Sequence, residues 1–222
     1  MDAILEDKME AQAFYEKVYE AGLVPVVVIE DPKDAVPTAE ALLAGGINTM
    51  EITYRTACAG EAIALVRKAV PEMLVGAGTI LNVRQAKEAV DQGASFIVSP
   101  GFSEEVVRWC EESGIPVVPG CVTPTEIMAA LSCGLSVVKY FPANLYGGIK
   151  AIRSLAGVFR GLKFMPTGGV NAENLSEFAS ETCIAAIGGS WVCTASDIRE
   201  QRFGKITELS REAVGIIKEA RK

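Results

Sequence analysis

Short apolar runs followed by helical patterns recur along the whole chain, roughly every two dozen residues, and this repeat limits the folds open to the chain. Strands are predicted at residues 23–29, 48–52, 73–77, 95–98, 115–118, 136–141, 163–166 and 184–187. Because a helix follows each strand, the strands are expected to run parallel with the helices outside them. Eight such units in 222 residues predict an α/β protein, a (β/α)8 TIM barrel that forms a single domain over residues 1–222.

An open doubly wound sheet is the alternative fold. It would carry a G-x-G-x-x-G turn near the first strand, and the sequence has no such turn there. An N-terminal amphipathic helix is predicted over residues 5–21, with Gly22 as its end, and the last helix over residues 206–220. Thr123 and Glu126 predict a capping box at the helix that follows the fifth strand.

Charge and cysteine content restrict the partners and the compartment. The net charge is −7, from 21 basic and 28 acidic residues, which argues against nucleic acid or an anionic membrane as a partner. The six cysteines form no CxxC pair, the N-terminus lacks the apolar core of a secretory signal, and no apolar run approaches the length of a membrane span. A cytoplasmic protein with free thiols is expected.

The sequence contains no histidine. This excludes histidine-based acid–base chemistry, Ser-His-Asp and Cys-His nucleophiles, and metal sites with histidine ligands. Proton transfer must therefore use carboxylates, lysine, tyrosine or water.

Lys139 interrupts the sixth predicted strand, in which the neighbouring side chains are mostly apolar. Lysine side chains are rarely buried unless they have an ionic partner or a chemical role. Burial favours the neutral form of an amine, and a neutral amine can attack a carbonyl carbon. The alternatives are a lysine that reaches solvent from the strand end, and one half of a buried ion pair.

Glu51 is a second ionisable residue where a core side chain is expected. In barrels of this type the active site lies at the carboxyl ends of the strands, and Glu51 belongs to the second strand. It could form a salt bridge with Lys139 or Arg55, or act as a general base beside the lysine. Arg55, just beyond the same strand, could bind a carboxylate with two hydrogen bonds.

Glycine pairs end the last two strands, at Gly168-Gly169 and Gly188-Gly189-Ser190. Glycine lets backbone N–H groups approach a ligand, and the N-terminus of the following helix is expected to add a positive dipole. Barrels often bind phosphate at this place, so these turns predict a phosphate site.

At these positions the sequence resembles the bacterial 2-keto-3-deoxy-6-phosphogluconate (KDPG) aldolases, which often also cleave 4-hydroxy-2-oxoglutarate (KHG). The matching stretches are residues 44–46, 51–56, 75–79, 99–101, 139–143, 164–170 and 187–191. They run in chain order over most of the sequence. The resemblance implies a class I lyase that needs neither a metal nor a cofactor, and a homotrimer.

The resemblance also assigns roles to residues. Lys139 would form the Schiff base and Glu51 would be the general acid–base. The pyruvoyl part of the substrate would be bound by Arg55, Thr79, Pro100, Phe141 and Thr167. The phosphate would be bound by Gly168, Gly169, Gly189 and Ser190.

The chain departs from the more usual family pattern at Tyr140, at residues 121–124 and at residues 144–146. Tyr140 is expected to point away from Lys139, and the two loops border the predicted pocket, where they would affect substrate preference. The first alternative function is an aldolase for a non-phosphorylated 4-hydroxy-2-oxo acid. The others are a phosphate-binding barrel isomerase or epimerase, and a non-catalytic barrel.

Overall fold

The computed structural model describes residues 14–222, and strands alternate with helices over this range. The strands are β1 (Leu23–Val27), β2 (Thr49–Thr53), β3 (Leu74–Gly78), β4 (Ile97–Val98), β5 (Val117–Val118), β6 (Val137–Tyr140), β7 (Lys163–Pro166) and β8 (Ile187–Gly189). Helix α1 occupies residues 14–21, and the rest of the predicted N-terminal helix, residues 5–13, lies outside the described residues.

Nine further α-helices follow within the described residues. They are α2 (Ala35–Ala44), α3 (Ala59–Ala69), α4 (Val83–Asp91), α5 (Glu104–Glu112), α6 (Pro124–Ser132), α7 (Gly148–Val158), α8 (Leu175–Ala179), α9 (Ala195–Arg199) and α10 (Phe203–Ala220). The predicted capping box of α6 is present. The Thr123 hydroxyl accepts a hydrogen bond from the backbone N–H of Glu126, and the Glu126 carboxylate accepts one from the backbone N–H of Thr123. No helix among residues 14–222 is both long and apolar enough to cross a membrane.

The strands form two parallel sheets, which confirms the predicted parallel α/β arrangement. Six strands lie in the order β5-β4-β3-β2-β1-β8, and β6 pairs with β7. Isolated bridges connect the sheets, from Gly120 to Lys139 and from Thr167 to Gly188. At the first bridge the Lys139 amide donates to Pro119 at 2.9 Å, and the Lys139 carbonyl accepts from Cys121 at 2.8 Å.

Some element boundaries differ from the sequence prediction. The eighth strand was predicted at residues 184–187 and forms at Ile187–Gly189. The reason is that the chain changes partners: Ile184 bridges to Phe164 of β7, and the following residues pair with β1. The first strand ends at Val27 rather than at residue 29, and α10 begins at Phe203, one turn before the predicted start.

One end of the strands is covered by α1. Phe14 and Val18 of this helix join a buried cluster with strand residues such as Phe96 and Met165, and the Phe14 and Phe96 rings lie 5.0 Å apart. Since Tyr15 also donates to the carbonyl of Val117, α1 is tied to the strands by both packing and a hydrogen bond. The opposite, carboxyl end of the strands carries the polar residues considered next.

Candidate active site

Lys139 of β6 and Glu51 of β2 meet at the carboxyl end of the strands. The Nζ atom of Lys139 lies 3.2 Å from Oε1 of Glu51, although the residues are 88 positions apart and their strands are not neighbours. Lys139 is 4% exposed and Glu51 is fully buried. The contact therefore crosses the interior between the sheets. It is a buried amine–carboxylate pair, and transfer of one proton from Lys139 to Glu51 would convert its charged form into its neutral form.

The second oxygen of the Glu51 carboxylate has no hydrogen-bond partner among the described residues. Buried carboxylate oxygens are normally satisfied, so this atom is an acceptor that remains available to a bound molecule. Gly78, at the end of β3, makes room for the carboxylate: a Cβ atom there would lie 2.6 Å from Oε1. The glycine is thus required by the position of Glu51.

We expect Gly78→Ala to lower kcat, because the added methyl group must displace the Glu51 carboxylate from Lys139. A displacement of about 1 Å at a reacting group can cost roughly 100-fold in rate. Steady-state kinetics would measure this loss, with Gly101→Ala as the matched control, since a Cβ atom at Gly101 would have no neighbour within 4 Å. Equal activity of the two variants would contradict the importance of the contact between Glu51 and Lys139 for the rate.

Phe141 provides an apolar surface beside the amine. Its ring centroid lies 5.4 Å from the Nζ atom of Lys139. The sixth strand was predicted to include residue 141, but β6 ends at Tyr140, and Phe141 reaches the amine from the turn that follows. Tyr140 is buried and its hydroxyl donates to the carbonyl of Tyr146 at 2.7 Å, so it does not face the lysine.

Arg55 and Thr79 lie together beyond the ends of β2 and β3. The Nε atom of Arg55 donates to Oγ1 of Thr79 at 3.1 Å, and Arg55 as a whole is exposed. Thr79 has a φ of 59°, in the left-handed region that non-glycine residues rarely occupy. Such strained residues cluster at functional sites, and this one fixes a hydroxyl against the guanidinium.

Pro100 and Thr167 lie at the ends of β4 and β7. Pro100 is half-buried, and its carbonyl oxygen lies 2.1 Å from the place where a Cβ atom of Gly120 would be, so the turns after β4 and β5 are in close contact. Thr167 is buried, and its hydroxyl oxygen lies 2.1 Å from the place where a Cβ atom of Gly188 in β8 would be. Both contacts bring the strand ends together on the side of Lys139.

The glycine pair at the end of β7 is in the left-handed conformation, with φ of 92° at Gly168 and 80° at Gly169. Successive N–H groups in such turns can form an anion-binding concavity. Within residues 14–222, the N–H group of Gly169 donates no hydrogen bond. Gly189 is buried and must be glycine, because a Cβ atom would lie 1.9 Å from the Trp191 ring, and Ser190 is exposed.

The predicted contribution of helix dipoles at these glycines is wrong. Helix α8 begins only at Leu175 and α9 only at Ala195, and each has five residues. The segments after both glycine turns are irregular, so any anion there would be bound by local N–H groups and side chains rather than by a helix N-terminus.

A polar cluster that the sequence analysis missed holds the segment after Ser190. Asp197 accepts from Thr194 at 2.6 Å, from Arg202 at 2.7 Å and from Lys205 at 3.0 Å. The hydrogen bond from Thr194 and those from the two cations lower the pKa of Asp197 to about 2. The T-x-x-D pattern at this helix start was a signal that could have predicted the cap.

A buried amine, a carboxylate within hydrogen-bonding distance and a parallel α/β framework together define the class of enzymes that attack a carbonyl carbon with a lysine. The family model for KDPG and KHG aldolase matches residues 14–209. The chain belongs to this family, which confirms the identification made from the sequence motifs.

Three known proteins show how close the similarity is. A 2-dehydro-3-deoxy-phosphogluconate aldolase of Treponema pallidum is 44% identical over 203 residues, which are 91% of this chain and 97% of the relative. A KDPG aldolase of Legionella pneumophila, solved with pyruvate captured as a covalent carbinolamine intermediate, has a TM-score of 0.86 at 39% identity, over 88% of this chain and 96% of that one. A KDPG aldolase of Zymomonas mobilis, solved with 3-phosphoglycerate, has a TM-score of 0.85 at 40% identity, over 91% of this chain and 95% of that one.

Proposed function

We propose that this protein is a class I aldolase that cleaves 2-dehydro-3-deoxy-6-phosphogluconate to pyruvate and D-glyceraldehyde 3-phosphate. It also cleaves 4-hydroxy-2-oxoglutarate to pyruvate and glyoxylate. The observation that carries the proposal is the buried contact of 3.2 Å between Lys139 and Glu51. The captured pyruvate adduct of the Legionella relative supports the same chemistry.

The reaction begins at Lys139. Its neutral amine attacks the C2 ketone, and the resulting carbinolamine loses water to give an iminium ion. The proton that the ammonium form must release before it can attack passes to water and returns to the hydroxyl group that leaves the carbinolamine, so Glu51 remains a carboxylate for the second stage. Phe141 excludes water from one side of the amine.

The carbon–carbon bond breaks in the second stage. Glu51 takes the proton of the C4 hydroxyl, the electrons of the C3–C4 bond move toward the iminium nitrogen, and the aldehyde leaves. The enamine that remains is protonated at C3, and water hydrolyses the iminium to release pyruvate and free Lys139. The free oxygen of Glu51 supports this role, because it can accept the hydroxyl proton while the other oxygen stays with the lysine.

Substrate binding divides between two ends of the site. Arg55 and Thr79 bind the pyruvoyl carboxylate, and this is supported by their contact of 3.1 Å at the ends of neighbouring strands. Pro100 and Thr167 line the pyruvoyl pocket with Phe141. At the other end, the sites for phosphate are Gly168, Gly169, Gly189 and Ser190.

The molecular organisation follows the same family. The eight strands close into a (β/α)8 barrel in a single domain of residues 1–222, which the bridges from β5 to β6 and from β7 to β8 support. The protein acts as a homotrimer on small-molecule substrates and binds neither nucleic acid nor membrane. A cytoplasmic location is supported by its six cysteines, all of which are free thiols.

Trapping with borohydride tests the proposal. We expect the intact protein, incubated with pyruvate and borohydride, to gain the mass of a reduced pyruvyl adduct, and peptide mapping to locate it on Lys139. Cleavage of both substrates, followed by pyruvate release, should proceed unchanged in the presence of a metal chelator. An unmodified Lys139, or activity that the chelator removes, would contradict the imine mechanism.

A further inference from the structure

Asn144 lies beside the turn that the proposed function assigns to phosphate. Its backbone N–H donates to the carbonyl of Gly168 at 3.1 Å, and the preceding Ala143 N–H donates to Thr167 at 2.8 Å. These two bonds continue the pairing of β6 with β7 beyond the strand ends. The chain therefore connects the Lys139 strand directly to the glycine turn.

The side chain of Asn144 is packed against Gly169. Its Cγ atom lies 2.3 Å, and its Nδ2 atom 2.6 Å, from the position that a Cβ atom on Gly169 would occupy. The residue is exposed, and its amide group makes no hydrogen bond within the described residues. An uncommitted donor thus lies against the glycine whose own N–H is also uncommitted.

The segment that carries Asn144 is held in place independently of that amide. The hydroxyl of Tyr140 donates to the carbonyl of Tyr146 at 2.7 Å, and the backbone N–H of Gly148 donates to the carbonyl of Ala143 at 2.8 Å. Because the backbone is fixed by these bonds, the amide can bind a ligand with little loss of conformational freedom.

We propose that Asn144 determines the preference for a phosphorylated substrate, by donating a hydrogen bond from its side-chain amide to the phosphate held at Gly168 and Gly169. The proposal rests on the proposed function and adds a residue to its phosphate end. A hydrogen bond to a charged group is worth more than one between neutral groups, so this contact is large enough to affect substrate choice.

The competing explanation is that Asn144 only fills the space above Gly169. The two explanations differ in their dependence on the substrate. A contact with phosphate affects the phosphorylated substrate alone, because 4-hydroxy-2-oxoglutarate ends in a carboxylate at C5 and lacks the phosphate on C6. A packing defect disturbs the whole rim of the site and affects both substrates.

The test compares Asn144→Ala and Asn144→Asp with the control Leu145→Ala, whose side chain is 78% exposed on the same loop. For the phosphorylated substrate we expect KM to rise about tenfold in Asn144→Ala, with kcat within about twofold of wild type. Asn144→Asp, which has nearly the same shape, should raise KM roughly a hundredfold because its carboxylate repels phosphate. For 4-hydroxy-2-oxoglutarate, kcat/KM should stay within about twofold in all three variants.

Two results would overturn the inference: an unchanged KM for the phosphorylated substrate in Asn144→Ala, or equal losses for both substrates. Wild-type enzyme that traps pyruvate on Lys139 but does not cleave the phosphorylated substrate would instead refute the phosphate part of the proposed function, and the role of Asn144 with it. Trapping of pyruvate by Asn144→Ala at the wild-type rate shows that the variant is folded and that its catalytic pair is intact.

Discussion

Replacement of Lys139 by alanine is expected to abolish cleavage of both substrates, with kcat lower by roughly 10⁴-fold or more, since the covalent intermediate can no longer form. Among residues 14–222 no other lysine pairs with Glu51, and the amine must reach the carbonyl from inside the site, where Lys139 lies against Glu51. Trapping of pyruvate with borohydride should also disappear. Both losses are measured on the same preparation: pyruvate release reports cleavage, and the intact mass of the protein reports trapping.

The Lys139→Ala experiment needs a check on folding. Removal of the amine leaves Glu51 buried without its ionic partner, which is destabilising unless the carboxylate takes up a proton. Lys139→Met keeps most of the aliphatic side chain and is the variant in which packing changes least. Lys163→Met is the matched control: this lysine belongs to the adjacent strand β7, but its amine donates to the carbonyl of Thr182 at the far end of the strand.

Thermal melts and circular dichroism should show that the Lys139 variants keep the wild-type fold. Full activity is expected for Lys163→Met. A folded Lys139→Ala or Lys139→Met protein that still releases pyruvate at a substantial rate would refute the Schiff-base mechanism, and a Lys163→Met protein without activity would remove the basis for assigning the effect to one amine.

The strand framework could be predicted from sequence because buried parallel strands have a simple pattern. Each is a short apolar run, and an ionisable residue inside it is conspicuous, as Lys139 and Glu51 are. Once eight such runs were counted, the rule that parallel strands end at one edge placed both residues on the same side. Their contact across 88 residues follows from that topology, so it could be predicted without knowing the structure of any loop.

The parts that could not be predicted depend on contacts between loops. The left-handed conformation of Thr79 has no local sequence signature, since the residue is neither glycine nor asparagine. Helix α9 begins after the Thr194 cap, where Asp197 binds Arg202 and Lys205, and α8 begins only at Leu175, so the expected helix dipoles are not at the glycine turns. Likewise, the need for glycine at position 169 is understood only when Asn144 is seen against it.

Replacement of Glu51 by glutamine is expected to separate the two stages of the reaction. Glutamine has nearly the same shape and can still accept a hydrogen bond from Lys139 through its amide oxygen, but it cannot take the proton of the C4 hydroxyl. Loss of a general base typically costs 10²- to 10⁴-fold, so kcat for cleavage should fall by about this factor. The imine with pyruvate, whose formation does not break a carbon–carbon bond, should still be trapped on Lys139.

The measurement is therefore a ratio. The rate of borohydride trapping with pyruvate is compared with the rate of cleavage, in Glu51→Gln and in Glu104→Gln, a control carboxylate that pairs with Arg108 on the exposed surface of α5. Trapping should persist in both variants, while cleavage falls only in the first. If folded Glu51→Gln lost trapping as well, the carboxylate would be needed to activate the amine. If it kept full cleavage, the proton of the hydroxyl would have to leave by another route, and the unpartnered oxygen of Glu51 would have no catalytic part.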